Sequence, residues 1–257
     1  MEEGFENLTG LTENTDVILF GSFLEDDKAP NDLDFMVIGN DREEMMTVKK
    51  AVHSTEWPVH PDPIFMSINQ FERRCELKDF KFSSALENYD SFGDNLNLDE
   101  IEQNLYDEIA TDEALKFNFF RSVNNWDKAD LFLKQAKNYS RRKTHFESFS
   151  PENIYDDRLQ DFDSLDIQKN LLDSSASLSF ATGYLAATNA YAEGKTSYTK
   201  DTAFSEPRND LEQLFFDVKS LQWDQKDEAD YQPELLEEYI EETRGILESS
   251  EYNSLFE

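Results

Sequence analysis

Acidic side chains recur along the whole of this chain, and that limits how it can fold. Of 257 residues, 56 are Asp or Glu and 24 are Lys or Arg, for a net charge of −32. Ionised carboxylates are rarely buried without a partner, so nearly all must reach water. Any core must therefore be assembled from short apolar runs between them. Residues 1–98 hold 21 acidic and 8 basic residues, and the remainder holds 35 and 16. The acidity is thus general; it is neither a terminal tail nor one patch. A partner-binding surface would be local, whereas an even spread fits adaptation to a salt-rich cytoplasm, in which charge repulsion is screened within about 3 Å at molar salt. The same balance argues against tight nonspecific binding of nucleic acid, which needs clustered Lys and Arg.

Enough apolar material remains for a core. Hydrophobic residues make up 38% of the chain, with 21 Phe and 10 Tyr as bulky filling. No run approaches the roughly 20 apolar residues that span a bilayer. The segment MEEGFENLTG lacks the basic start and apolar run of a secretory signal. The expectation is a soluble, cytoplasmic protein without a membrane partner. The single cysteine, Cys75, excludes an intramolecular disulfide framework, and with only three His it disfavours a thiolate zinc site.

Two apolar runs near the start read as strands, Asp16–Phe20 (DVILF) and Asp32–Ile38 (DLDFMVI). Gly21-Ser22 breaks the first and Gly39-Asn40 ends the second. Asp41–Val52 fits a helix, with acids first and Lys49-Lys50 late, as the helix dipole favours. A third strand is predicted over Ile64–Ile68, after the proline-rich PVHPDP, and a short helix over Asn69–Leu77. From residue 99 the pattern turns helical. Candidates are Glu100–Ala110, Asp112–Tyr139, Asp166–Ala192, Pro207–Leu221 (with Ser205 as its cap) and Pro233–Leu247. Segment 140–164 reads as a polar loop. The expected fold is α+β, with a small mixed-sheet domain over residues 1–98 followed by an all-α helical-bundle domain over residues 99–257.

The stretch with chemical content is LFGSFLEDDKAPNDLDFMVIG, Leu19–Gly39. Strand alternation puts Asp32 and Asp34 on one face, with Leu33 on the other. Two neighbouring carboxylates repel unless a cation lies between them. Oxygen ligands of this kind suit magnesium, which completes its shell with substrate phosphates and water. Gly21 lets backbone N–H groups approach a phosphate, and Ser22 adds a hydroxyl donor.

A hydrophobic residue, Gly-Ser, nine residues and then Asp-Leu-Asp-Phe resemble the signature of the DNA polymerase beta-like nucleotidyltransferase superfamily, over roughly residues 1–98. The resemblance implies a nucleoside triphosphate substrate such as ATP, about two magnesium ions held by Asp32 and Asp34, and a helical second domain that selects the acceptor. It also implies a third carboxylate, for which Asp62 is the candidate although Pro61 and Pro63 flank it. Ser91–Leu96 (SFGDNL) is similar to the Phe-Gly-acid motif of aminoglycoside-type members. That similarity would make Asp94 the base that accepts the proton of an attacking hydroxyl. The implied reaction moves a nucleoside monophosphate onto a hydroxyl of a small, aminoglycoside-like acceptor. Adenylylation of a protein or RNA partner, as in toxin–antitoxin systems, is the alternative, and a catalytically silent binding module of the same fold is a third reading.

Other features have plainer explanations. The spacer FLEDDKAPN carries one cation, Lys28, so triphosphate charge would fall to the metal and to groups such as Arg73, Arg74, Lys78 and Lys81. Arg141-Arg142-Lys143-Thr144-His145 has too few residues between Arg and His for a HEPN-type ribonuclease signature and reads as a solvated basic segment. Asn170, Asp173, Tyr184 and Tyr191 suit core or surface roles better than an acceptor pocket. His53 and His60 lack partners at metal-ligand spacing.

Overall fold

The computed structural model describes residues 2–11, 14–24, 32–149, 157–205, 207–227 and 231–250. The chain divides into two compact units. One comprises Met1–Ala114 with Gly194–Thr199, and the other Leu115–Glu193 with Lys200–Glu257. The first unit thus runs past residue 98 and takes in a short return segment.

In chain order, the first unit contains α1 (Glu2–Thr9), β1 (Thr15–Phe20), a 3₁₀ turn (Ser22–Leu24), β2 (Asp32–Gly39), α2 (Arg42–Ser54), β3 (His60–Met66), α3 (Ile68–Glu76), α4 (Phe80–Ala85), β4 (Tyr89–Phe92), α5 (Leu98–Glu102) and a π-helical turn (Gln103–Asp107). The strands form one mixed sheet in the order β3-β2-β1-β4. β1 pairs antiparallel with both β2 and β4, while β2 and β3 run parallel and are joined through α2. β3 begins four residues earlier than the apolar run suggests and includes Pro61 and Pro63. Proline is tolerated there because β3 is an edge strand, where a missing N–H breaks no ladder.

Alternation along β1 and β2 builds two cores, one on each face of the sheet. Val17, Leu19, Leu33, Phe35 and Val37 pack with Phe5, Val48 and Val52 on the face covered by α1 and α2. Phe5 anchors α1 by ring contacts to Phe35 (5.3 Å), Trp57 (5.2 Å) and Phe92 (5.2 Å). Ile18, Phe20, Met36 and Ile38 pack with Phe71, Cys75, Phe82 and Ile101 on the opposite face. α2 starts where Asp41 accepts the N–H groups of Glu43 and Glu44, and α3 starts in a Ser67/Gln70 capping box.

The second unit holds helices: most of α6 (Asp112–Phe149), then α7 (Asp157–Ala192), α8 (Lys200–Ser205), α9 (Asp210–Asp227) and α10 (Pro233–Ser249). Its core joins Ala129, Leu133, Leu171, Leu178, Val218, Leu236 and Ile240. α6 and α7 run well into the segment that reads as a loop, because polar residues continue a helix once its apolar face is packed. α9 starts at Asp210, capped by Asn209 accepting the Glu212 N–H at 2.9 Å, so Pro207 precedes the helix and does not open it. No helix among the described residues is long and apolar enough to cross a membrane.

Lys78 ties the first unit together from within. It is 2% exposed, adopts φ +47°, and donates from Nζ to the carbonyls of Asn104 (2.6 Å), Leu105 (2.9 Å) and Thr196 (2.9 Å). Burial pulls its pKa from 10.5 to about 8, against the opposing pull of Glu108 and Asp107. The folded chain therefore sheds this proton before the unfolded chain does. Between pH 8 and 10.5 this group makes stability rise with pH, by up to about 1.4 kcal/mol per unit. The buried Cys75 thiol, pushed upward by burial, acts in the opposite sense above pH 9.0. Urea denaturation across this range should show the Lys78 contribution as a difference between wild type and Lys78→Met.

Candidate active site

The carboxylates of β2 sit where three strands meet. Strand pairing sets Phe20 opposite Asp34, and the chain then reverses at Gly21, whose φ is +84°. That conformation suits glycine, because a side chain there meets its own backbone. Space makes the same demand: a Cβ built on Gly21 would lie 2.9 Å from Asp34 Oδ2. The Gly21 Cα therefore rests against the Asp34 carboxylate. The turn is closed by the Leu24 N–H donating to the Gly21 carbonyl at 3.0 Å.

On the other side, β3 lines up in register. Asp34 is opposite Asp62, and Asp32 is opposite His60. Directly opposed residues of neighbouring strands project to the same face. Asp32, Asp34, Asp62 and His60 thus occupy four adjacent positions on one face, while Leu33 is fully buried on the other. Asp32 and Asp34 are half-buried, and Asp62 and His60 are exposed. The prolines flanking Asp62 do not lift it out of the sheet. His60, which sequence spacing alone leaves without a partner, belongs to this group. Its x-Asp repeat with Asp62 parallels Asp32-x-Asp34, and only a strand starting as early as residue 60 brings that out.

The remaining candidates are distributed differently. Asp94 does not join these carboxylates. β4 runs antiparallel to β1 with Phe92 opposite Val17, so Asp94 lies beyond the start of β1, near Asp16. Asp16 and Gly21 are five residues apart on an extended strand, roughly 17 Å. Ser22 opens the 3₁₀ turn, but its hydroxyl lies outside the described residues, as do residues 25–31 of the spacer with Lys28. Three of the four proposed cationic helpers are committed elsewhere. Arg73 pairs with Glu76 at 2.8 Å and with Glu113, Arg74 pairs with Asp79 at 2.8 Å, and Lys78 is buried among carbonyls. Tyr184 and Tyr191 are core residues, and Asn170 donates to the Asp166 carbonyl at 2.7 Å. The basic run at 141–145 lies within α6, where Lys143 donates to Ser164 Oγ at 2.9 Å; the His145 side chain lies outside the described residues.

The donor set suits a hard divalent cation. Asp32 and Asp34 with Asp62 offer carboxylate oxygen, and magnesium usually takes one or two carboxylates plus phosphate and water. Among the described residues, no three His, Cys, Asp or Glu side chains form a group that could hold a metal ion. Asp32 and Asp34 are neighbours in the acidic row, and the β3 pair stands beside them. No family model, no curated protein and no solved structure matches this chain.

The close approach at Gly21 can be tested directly. Gly21→Ala should cost about 1–3 kcal/mol in chemical denaturation, from the left-handed backbone and the contact with Asp34. In an Asp34→Ala background the cost should fall, because one of those two sources is gone. Equal costs in both backgrounds would mean that the two residues do not touch.

Proposed function

We propose that this chain is a magnesium-dependent nucleotidyltransferase whose reaction centre is built on Asp32 and Asp34. The observation that supports this reading is the contact between the Gly21 turn and Asp34, which sets a backbone turn without a side chain beside a carboxylate. Asp32 and Asp34 would hold magnesium, with Asp62 across the strand pair as the third carboxylate. When bound, the metal would supply charge neutralisation for the triphosphate and for the oxygens gaining charge at the α-phosphorus.

Each residue then has a defined task. Gly21, free of a side chain, admits phosphate oxygens to the turn at the end of β1. Asp34, held against that turn, fixes the position of the phosphate relative to the carboxylates. Asp62 and His60, on the same face as Asp32 and Asp34, would be the groups to take the proton of an acceptor hydroxyl, whereas Asp94 lies at the far end of β1. The hydroxyl oxygen attacks the α-phosphorus, the bond to the bridging oxygen breaks, and pyrophosphate leaves with that oxygen. The domain arrangement follows the same reading: the sheet unit binds the nucleotide and the helical unit selects the acceptor. ATP is the expected donor, and a small polyol or aminoglycoside-like hydroxyl compound the expected acceptor. The general acidity of the chain would favour a cationic acceptor.

Labelled ATP, magnesium and a pool of candidate acceptors, small molecules and lysate proteins alike, provide the test. Wild type should release pyrophosphate and label an acceptor. Asp34→Asn should lower that rate by at least about 100-fold, the scale of losing a charge-positioning group, while keeping its fold by circular dichroism. If wild type and Asp34→Asn release pyrophosphate equally, or neither does with any nucleotide, the assignment is wrong.

A further inference from the structure

The helical unit has a cleft of its own, which the reaction above does not use. Its volume is about 320 Å³, and it lies between α6, α7 and the start of α10, wholly within the second unit. Sites for small organic ligands begin at roughly this size. Helical spacing builds its walls. Ala136 and Ser140, and likewise Lys137 and Arg141, are four residues apart on α6, as Ile167 and Leu171 are on α7. The floor is the end of the bundle core. Ala136 and Leu171 belong to that core and are buried, Ile167 packs against it, and Pro233 adds apolar surface from α10.

Two opposite charges line this cleft without meeting. Arg141 is on α6 and Glu234 is in the first turn of α10, and both are exposed. Among the described residues, neither side chain has an ion-pair or hydrogen-bond partner. Acids outnumber bases by 56 to 24, so an arginine has many chances to pair, and this one does not. Arg73, Arg74, Arg208 and Arg244 each do pair with a carboxylate. Lys137, also in the cleft wall, is already neutralised by Glu237. The walls thus offer one guanidinium and one carboxylate, held apart beside an apolar floor.

We propose that this cleft binds a free apolar α-amino acid of the leucine class. Arg141 takes the carboxylate, which its planar fork of donors suits. Glu234 takes the ammonium, and the aliphatic side chain covers Ile167, Leu171 and Pro233. Charge selects the zwitterion. A pure anion of the same shape meets Glu234 and the negative field of the whole chain, and a pure cation meets Arg141. An amino acid carries no net charge, and its two ends match the two walls. None of these residues belongs to the carboxylate row of β2 and β3, so binding does not require that site.

Calorimetric titration of the full chain at low ionic strength provides the test, with L-leucine, glycine, isoamylamine and isocaproate as probes. Leucine should bind wild type. The other three lack the side chain, the carboxylate and the ammonium in turn, and each should bind at least about tenfold more weakly. Arg141→Gln should weaken leucine by about tenfold or more and leave isoamylamine unchanged. Glu234→Gln should weaken leucine to a similar degree and leave isocaproate unchanged. Both side chains are exposed, so both variants should melt at the wild-type temperature. Asp34→Asn should bind leucine as wild type does. A wild type that does not bind leucine, leucine affinity unchanged in both cleft variants, affinity lost in Asp34→Asn, or any of the three truncated probes matching leucine would each overturn the proposal.

Discussion

The position of β2 between an antiparallel and a parallel neighbour is the constraint on which the candidate site rests. Antiparallel pairing with β1 requires the chain to reverse after Phe20, and Gly21 turns there against Asp34. Parallel pairing with β3 forces a crossover through α2 and returns the chain so that Asp62 meets Asp34. Register gives these contacts their meaning. A slip of one residue would turn Asp32 and Asp34 into the core beneath α1 and α2 and move Leu33, Phe35 and Val37, which are now fully buried there, to the opposite face. Burying each of those apolar groups stabilises the fold by about 1.5–3 kcal/mol, so the hydrophobic face holds the acidic face in place.

The ends of β1 treat carboxylates by different physics. Near Gly21 the acids are half-buried or exposed, and water reaches the group. Near Gly93 the Asp16 carboxyl is enclosed, one oxygen accepting a backbone N–H and the other buried without a hydrogen bond. Both places depend on a glycine with positive φ whose missing side chain leaves room for a carboxylate oxygen. Arg73, Arg74 and Lys78, which might have balanced these charges, are committed to other partners, and Lys78 binds three carbonyls inside the first unit.

Much of the sheet was legible in the sequence, because DVILF and DLDFMVI are apolar runs bounded by glycine, and α2 carries its acids and its Asp41 cap in the expected order. Other elements were hidden for identifiable reasons. β4 is four residues long and reads YDSF, with little apolar character. α1 is held by a single aromatic, Phe5, whose partners lie 30 to 87 residues away in the chain. β3 begins within a proline pair that signals a loop unless the strand is known to lie at an edge. The misplacement of Asp94 has the most instructive cause. A Phe-Gly-acid motif fixes local conformation, but the direction of β4 decides which end of β1 it reaches, and nothing near residue 94 encodes that direction. The place of His60 beside Asp32 was hidden for the same reason: it exists only through strand register.

The prolines of β3 have a further effect, on what the sheet can do with other chains. An edge strand normally presents a row of free backbone donors that a second polypeptide can extend by lying alongside. Pro61 and Pro63 delete two of those donors at alternate positions, next to Asp62 and opposite Leu33 and Phe35. A visiting strand would find the ladder interrupted beside the strand that carries Asp62 and His60. The sheet therefore ends at β3 by chemistry, because intruding backbone gains little hold there.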